Sequence, residues 1–301
     1  MEGSFIPNRQ RELEIPGRVT FACGNGGLTK VNITTGRSTA EIYLHGAHVT
    51  GFQKNGEPPM LFLSRLSRFA AGRAIRGGVP ICFPWFGQRA GESAHGFARI
   101  TEWELAETSA GPGGAVTVRL RLPKDAAKPE WSALRAEFVV TISDRLTMEL
   151  MATNESADRR LEIENCLHTF FRVGDINRVS TTGLQGAPFD DFAAGAAGAR
   201  RVENDPVLRI TKETNRVYPD TSGTVEIRDE NLERIIRVEK FNSQSTVVWN
   251  PWTTQKLPDD FDPAEHRQMV CVESGNVKQN KITLQPGATT TLKVVLTSHA
   301  V

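Results

Sequence analysis

Alternation of apolar and polar residues with a period of two is the strongest regular pattern in this chain. Residues 116–122, Val-Thr-Val-Arg-Leu-Arg-Leu, alternate strictly, and shorter stretches of the same kind occur at 146–150, 224–228 and 282–284. A period of two places successive side chains on opposite faces of a β-strand. These segments are therefore predicted to be half-buried strands.

Uninterrupted apolar runs and frequent turns complete a pattern that is typical of an all-β protein. Residues 138–142 and 246–249 are predicted to be strands buried on both faces. No stretch of twelve or more residues shows helical spacing, and 123–134 is predicted to hold one or two helical turns. Pro286-Gly287 separates 282–285 from 288–298, which predicts a hairpin near the end of the chain. Many short strands with frequent turns indicate a large antiparallel β-sandwich or a barrel.

The 301 residues are interpreted as one domain with a short lead-in. The chain shows no repeat of fixed period and no low-complexity linker. Strand signals begin near Val19, so 1–18 is predicted to be the lead-in and 19–301 the domain. A single domain of this length can bury a sizeable core.

Charge and cysteine content exclude several classes of protein. Lys and Arg total 36 against 35 Asp and Glu, a net charge of +1, which lacks the basic excess expected of a nucleic-acid-binding protein. No apolar stretch approaches the length of a membrane span, and the first residues lack the apolar segment of a signal peptide. We expect a cytoplasmic protein with no membrane or nucleic-acid partner. The four cysteines are far apart and form no CxxC pair, which argues against a zinc ribbon. Cys82, Cys166 and Cys271 each lie in an apolar run and are predicted to be buried free thiols.

Two segments with glycine, proline and arginine do not fit the strand pattern. Residues 76–87 read Arg-Gly-Gly-Val-Pro-Ile-Cys-Phe-Pro-Trp-Phe-Gly. The aromatic rings form either a wall against which a sugar lies or a buried crossover between sheets, and glycine allows close approach of backbone to a ligand. Residues 95–99 read His-Gly-Phe-Ala-Arg. The Arg99 guanidinium suits a carboxylate or phosphate, and the alternative is a surface arginine beside a packed histidine.

Two further segments carry candidate proton-transfer groups. Alternation places Glu164, Cys166 and His168 on one strand face, and an imidazole can donate or accept a proton near neutral pH. The alternative for His168 is a structural histidine in an apolar strand. In 269–276, an apolar strand reaches Glu273, whose pKa partial burial would raise. The alternative is a strand-end carboxylate facing solvent.

Motifs for other chemistries are missing from the sequence. It contains no GxGxxG, GxxxxGK[ST] or GxSxG segment. His45 and His48 are three residues apart, which places them on opposite faces of a strand, and no HxH or HExxH motif accompanies them. We therefore expect no metal site and no cofactor.

In combination, these segments resemble the hexose-6-phosphate mutarotases, also called glucose-6-phosphate 1-epimerases, within the aldose 1-epimerase-like proteins. The matching motifs are LHGAHVTGF, IRGGVPICFPWFG, HGFARITEWEL, ENCLHTFF, VVWNPW and MVCVESGNV, in that order. The resemblance implies a β-sandwich of the galactose mutarotase-like type with an open sugar cleft. It implies an isomerase that interconverts the α and β anomers of hexose 6-phosphates, with glucose 6-phosphate as the first candidate.

The resemblance also implies the residues of the site. His168 and Glu273 would be the catalytic pair, with Glu273 as the base and protonated His168 as the acid on opposite sides of the sugar ring. The implied substrate-binding residues are Arg76, His95, Arg99 and Asn215. Arg76 and Arg99 are assigned to the phosphate end, where Lys256 or Arg89 could assist.

Two positions depart from the family pattern. Ala94 stands before HGFAR, where the family often has Gln, and Asn215 stands where it often has Asp. Alanine removes a polar contact and asparagine removes a charge. Both changes bear on substrate preference, because His168 and Glu273 are present.

Two other functions are compatible with the same sandwich. A non-catalytic carbohydrate-binding protein could keep the aromatic wall and the arginines, and a mutarotase for unphosphorylated aldoses could keep the catalytic pair. The presence of both an acid and a base favours an enzyme. A small hexose phosphate is the expected partner, and a monomer is the expected state because nothing in the sequence requires a second chain.

Overall fold

A computed structural model of the protein describes residues 11–126 and 128–301. In the described residues, the chain forms β-strands joined by turns and short 3-10 helices. The strands are β1 (Val19–Cys23), β2 (Thr29–Thr34), β3 (Ser38–Tyr43), β4 (His48–Lys54), β5 (Ile81–Cys82), β6 (Glu104–Ala110), β7 (Val116–Arg121), β8 (Leu134–Ile142), β9 (Leu146–Asn154), β10 (Leu161–Ile163), β11 (Asn165–Leu167), β12 (Phe170–Arg172), β13 (Val179–Thr182), β14 (Pro188–Asp191), β15 (Ala199–Val202), β16 (Thr214–Pro219), β17 (Val225–Asp229), β18 (Arg234–Phe241), β19 (Ser245–Asn250), β20 (Met269–Asn276), β21 (Ile282–Leu284) and β22 (Thr289–Ala300). The 3-10 helices are Asn25–Gly27, Ala98–Ile100, Pro112–Gly114, Lys124–Ala126, Pro129–Trp131, Ile176–Arg178, Pro263–Gln268 and Lys278–Asn280.

Two eight-stranded antiparallel sheets dominate the fold. The first, called the back sheet, has the order β13-β17-β18-β22-β9-β8-β7-β6. The second, called the cleft sheet, has the order β15-β14-β16-β19-β20-β11-β5, and β12 also pairs with β20. A four-stranded sheet of β1 to β4 and the pair β10-β21 complete the structure. The predicted all-β antiparallel fold is confirmed.

Burial patterns distinguish the two large sheets. Along β9, buried and partly exposed residues alternate strictly, so the back sheet presents one face to the core and the other to solvent. Along β19 and β20 almost every residue is buried, so the centre of the cleft sheet is covered on both faces. Val270 and Val272 of β20 join the main apolar core, whereas Cys271 and Glu273 point to the opposite face.

The strands predicted from alternation and apolar runs are confirmed as β7, β8, β9, β17, β19 and β21. The hairpin predicted around Pro286-Gly287 is wrong. β21 pairs with β10, and β22 pairs with β9 and β18. The turn joins strands of different sheets because both neighbours of β22 are supplied by distant parts of the chain.

The segments predicted to be non-strand are also described. The predicted helical turns at 123–134 are the two short 3-10 helices Lys124–Ala126 and Pro129–Trp131. No helix in the described part of the chain is long and apolar enough to cross a membrane. Strand β1 begins at Val19, and Ile15 forms a bridge with it. Residues 1–10 of the predicted lead-in lie outside the described residues, and the domain division stays a prediction.

Candidate active site

The register of the cleft sheet brings His168 and Glu273 together. β11 and β12 both pair with β20, Leu167 opposite Ser274 and Phe170 opposite Cys271. The register is unbroken between these pairs, so His168 lies opposite Glu273. His168 Nε2 is 3.2 Å from Glu273 Oε1. Two residues more than a hundred positions apart in sequence are therefore in direct contact.

A cleft of about 490 Å³ opens over this pair. Its volume suits a small ligand such as a monosaccharide derivative. All the site residues predicted from the sequence line it: Arg76, His95, Arg99, His168, Asn215 and Glu273. The sequence reasoning missed Lys278 and Phe192, which also line it, because neither lies in a segment with a recognisable pattern.

Glu273 is a buried carboxyl group. Its side chain is 1% exposed, and burial raises its pKa from 4.5 to about 8. The thiol of Cys166 donates a weak hydrogen bond to Glu273 Oε2 at 3.5 Å, which favours the charged form and offsets part of that rise. Oε1 faces His168. A carboxyl group with a pKa near neutrality can both accept and donate a proton at physiological pH.

Aromatic rings hold the imidazole of His168 in place. The ring stacks on Phe170 with centroids 4.8 Å apart and an interplanar angle of 10°, and Trp249 meets it edge-on at 6.2 Å. Burial, with smaller contributions from His95 and two guanidinium groups, lowers the pKa of His168 well below its usual value. At neutral pH the shared proton therefore rests on the carboxyl group of Glu273, and the imidazole is neutral.

His168 and Glu273 lie closer together than an acid and a base would lie if they stood on opposite sides of a sugar ring. At 3.2 Å they form one contact, and both side chains line the cleft. The expectation that they stand on opposite sides is therefore not met in this structure. The pair still meets the chemical requirement, because O1 and O5 of a pyranose are bonded to the same carbon and can face adjacent groups.

The segment His95 to Arg99 reaches the cleft through an unusual backbone. His95 has φ +63° and Gly96 has φ +78°. A Cβ on Gly96 would lie 1.9 Å from the carbonyl oxygen of Phe83, so only glycine fits there. His95 Nδ1 accepts a hydrogen bond from the backbone N–H of Gly87 at 3.3 Å, and burial lowers its pKa to about 3. His95 is therefore a neutral hydrogen-bonding group.

The segment 76–87 combines the two predicted alternatives, a buried crossover and a wall of the cleft. Ile81 and Cys82 form β5, which pairs with β11, and Phe83 is wholly buried, as in a crossover. Phe86 and Gly87 line the cleft, as in a wall. The apolar part of the segment thus supports β11, which ends immediately before His168.

Among the described residues, four cationic side chains line the cleft. Arg76 forms a two-point ion pair with Asp260, at 3.2 and 3.3 Å. Arg99 donates from Nη2 to the carbonyl oxygen of Ala94 at 2.8 Å, and its buried Nε has no partner among the described residues. Lys256 and Lys278 are the other two.

Arg89, the other assistant suggested by the sequence, is not among the cleft residues. Its guanidinium group lies over the rings of Trp85, at 4.9 Å, and Trp131, at 5.6 Å. The cation–π contact keeps the side chain on that separate aromatic pair.

The remaining motif residues have separable roles. Trp249 lines the cleft, and its indole N–H donates to Gln255 Oε1 at 2.9 Å. Asn250 is buried and donates to the carbonyl oxygens of His266 and Met269, which is a structural role. Asn215 lies opposite Trp249 in the β16–β19 register and lines the cleft.

His45 and His48 support the loop before the cleft. His45 Nε2 lies 2.7 Å from the carbonyl oxygen of Arg73, and His48 Nε2 lies 2.7 Å from that of Gly77. These contacts hold the backbone on both sides of Arg76. The histidines therefore position a cleft residue.

Comparison with known proteins places this fold and cleft in a family. The aldose 1-epimerase family matches residues 29–297. A relative from Cenchrus ciliaris, named "Putative glucose-6-phosphate 1-epimerase", is 32% identical over 272 residues, covering 87% of this chain and 82% of the relative. A relative of the same name from Escherichia coli K12 is 35% identical over 248 residues, covering 80% and 81%.

Solved structures show the same architecture. A "putative mutarotase (YeaD)" from Salmonella typhimurium superposes with a TM-score of 0.86 at 25% identity, covering 98% of this chain and 99% of that one. A galactose mutarotase-like protein from Clostridium acetobutylicum shares the fold, with a TM-score of 0.69 at 12% identity over 94% of this chain and 98% of that one. The chain belongs to the aldose 1-epimerase family, and it is an isomerase that interconverts sugar anomers.

Proposed function

We propose that this protein interconverts the α and β anomers of hexose 6-phosphates, with glucose 6-phosphate as the preferred substrate. The observation that carries the proposal is the 3.2 Å contact between His168 and Glu273 at the floor of a cleft that four cationic side chains line. The pair supplies the proton transfer, and the cations supply the affinity for phosphate.

Ring opening needs one proton removed and one proton added. The proton leaves O1, the C1–O5 bond breaks with its electron pair going to O5, and O5 takes up a proton. The open aldehyde rotates about C1–C2, and the ring recloses with the two proton transfers reversed. A pair of groups that holds one proton between them balances each half of the reaction, so no other reactant is needed.

We assign Glu273 as the base and His168 as the acid in ring opening. A carboxylate with an imidazolium holds the same number of protons as a carboxylic acid with an imidazole, so the proton reaches His168 across their contact. The guanidinium groups of Arg76 and Arg99 disfavour the imidazolium. A phosphate dianion bound to them offsets that charge, and substrate binding therefore favours protonated His168.

The charge of the cleft supports a phosphorylated substrate. A hydroxymethyl group needs only neutral hydrogen bonds, whereas a phosphate dianion is better bound by clustered guanidinium and ammonium groups. Glu273 is the only carboxyl group among the described residues that line the cleft, and it is protonated at neutral pH. The names of the relatives from Cenchrus ciliaris and Escherichia coli point to the same substrate.

Replacement of Arg99 with alanine tests the phosphate assignment. Loss of a charge-assisted contact is expected to raise KM for glucose 6-phosphate about 10- to 100-fold and to leave KM for free glucose nearly unchanged. Anomer exchange measured by NMR exchange spectroscopy on both sugars gives the two values. Arg89→Ala is the matched control, because Arg89 is not among the cleft residues, and it should change neither value.

Equal effects of Arg99→Ala on both sugars would remove the phosphate assignment and indicate a mutarotase for free aldoses. Absence of anomer exchange with either sugar in the wild-type protein would indicate a carbohydrate-binding protein. The same assay therefore separates all three functions.

A further inference from the structure

We propose that Cys271, His168 and Glu273 form a binding site for a soft divalent ion such as Zn²⁺ and that an ion bound there stops anomer exchange. One ligand atom from each residue is available, and the three atoms lie within 4.8 Å of one another. The inhibitory part of this proposal rests on the proposed function, whereas the binding part does not.

The strand register explains why these three side chains converge. Cys271 and Glu273 are two residues apart on β20, so their side chains leave the same face of the strand. His168 lies opposite Glu273, next to Phe170, which pairs with Cys271. The cysteine therefore lies beside the catalytic pair, beneath the floor of the cleft.

The thiol of Cys271 has no part in the proposed anomer exchange. It packs in an apolar cluster with Phe62, Phe170 and Met269. It makes no hydrogen bond within the described part of the chain, and it does not line the cleft, although its neighbours His168 and Glu273 do. The proton-transfer mechanism would work equally well with an apolar residue at this position.

The donor set is the one that zinc prefers. Imidazole nitrogen, thiolate sulfur and carboxylate oxygen are its usual protein ligands, and a thiolate discriminates against Mg²⁺ and Ca²⁺. Three protein ligands would leave a fourth position open, and the cleft lies over His168 and Glu273. The thiolate and the carboxylate together carry two negative charges, which balance the charge of the ion in a buried site.

The present distances are close to those of an occupied site. Tetrahedral zinc with bond lengths of about 2.0 to 2.3 Å requires ligand atoms roughly 3.5 Å apart. The His168–Glu273 separation is 3.2 Å, and the largest separation in the set is within 4.8 Å. Side-chain rotation that closes the site by about an ångström is sufficient for coordination.

Binding would remove both functions of the catalytic pair. The thiol proton and the shared proton pass to solvent as the sulfur, nitrogen and oxygen coordinate the ion. The imidazole lone pair and the carboxylate are then occupied, so neither can exchange a proton with O1 or O5. We therefore expect inhibition that a chelator reverses.

Cadmium chloride is a suitable probe, because a thiolate bound to Cd²⁺ absorbs in the ultraviolet through charge transfer. Titration of the full chain should give this absorption at one ion per chain, and anomer exchange should fall in parallel and recover with EDTA. Even the loss of an outer partner of a ligand weakens metal binding 10- to 100-fold. Cys271→Ala should therefore lose the absorption and weaken inhibition about 100-fold or more.

Two further variants complete the test. Cys23→Ser removes the exposed cysteine and should retain both the absorption and the inhibition. His168→Gln retains the thiol, so it should show the same absorption at about 100-fold higher Cd²⁺ concentration, whether or not Cys271→Ala folds. Wild-type absorption in Cys271→Ala, its loss in Cys23→Ser, or unchanged affinity in His168→Gln would each overturn the proposal. Absorption without any anomer exchange would retain the metal site and reject only the proposed function.

Discussion

Replacement of Glu273 with glutamine is expected to reduce catalysed anomer exchange by about 10²- to 10⁴-fold, the usual contribution of one proton-transfer group. Glutamine keeps the size and shape of the side chain but cannot hold or release the proton that His168 needs. Exchange spectroscopy on glucose 6-phosphate measures the rate above the spontaneous background. Near-full activity in Glu273→Gln would contradict the catalytic role of Glu273.

The fold of this variant should be unharmed, which makes the activity loss interpretable. Burial raises the pKa of Glu273 from 4.5 in the unfolded chain to about 8 in the folded one. Between these values the folded state holds a proton that the unfolded state has lost, so the carboxyl group lowers stability as pH rises through this window. Glutamine lacks this effect, and the variant should be at least as stable as the wild type at neutral pH. Glu162→Gln, at an exposed carboxylate on β10, is the control for activity and should behave as the wild type.

Replacement of Gly96 with alanine is expected to lower the free energy of unfolding by about 3 to 5 kcal/mol. Gly96 has φ +78°, and a Cβ there would lie 1.9 Å from the carbonyl oxygen of Phe83. The chain must either move this backbone or separate the two segments that carry His95 and Phe86. Urea denaturation measures the change.

A second glycine separates the two causes of that loss, the positive φ angle and the steric clash with Phe83. Gly91 has φ +73°, and nothing lies within 4 Å of a Cβ built on it. Gly91→Ala should therefore cost only the positive-φ penalty, about 1 kcal/mol. Equal losses in the two variants would mean that the contact with Phe83 is unimportant.

The strands were predictable where burial depends on local sequence. β7 and β9 alternate because one face of the back sheet is covered and the other is not, so the pattern alone indicates the element. Strand pairing was not predictable in this way. The wrong hairpin at Pro286-Gly287 arose because a turn signal shows that the chain reverses, but it does not show which strand becomes the neighbour of β22.

The sequence predicted the individual residues of the site better than it predicted how they are arranged in space. His168 and Glu273 were each open to a structural interpretation, and the resemblance to a family proposed the pairing that the register of β11, β12 and β20 explains. Cys166 and Cys271 were predicted only to be buried thiols. Their positions close to the catalytic pair arise from strand register, which the spacing of single residues does not encode.

The most direct test of the shared-proton pair is a double variant, His168→Gln/Glu273→Gln. Its rate of glucose 6-phosphate anomer exchange is compared with the rates of the two single variants. Because one proton passes between the two groups, removal of either should disable both, and the double variant should be no slower than the slower single variant. Losses that multiply, so that the double variant is slower by the product of the two single effects, would show two groups acting independently and would contradict the shared proton.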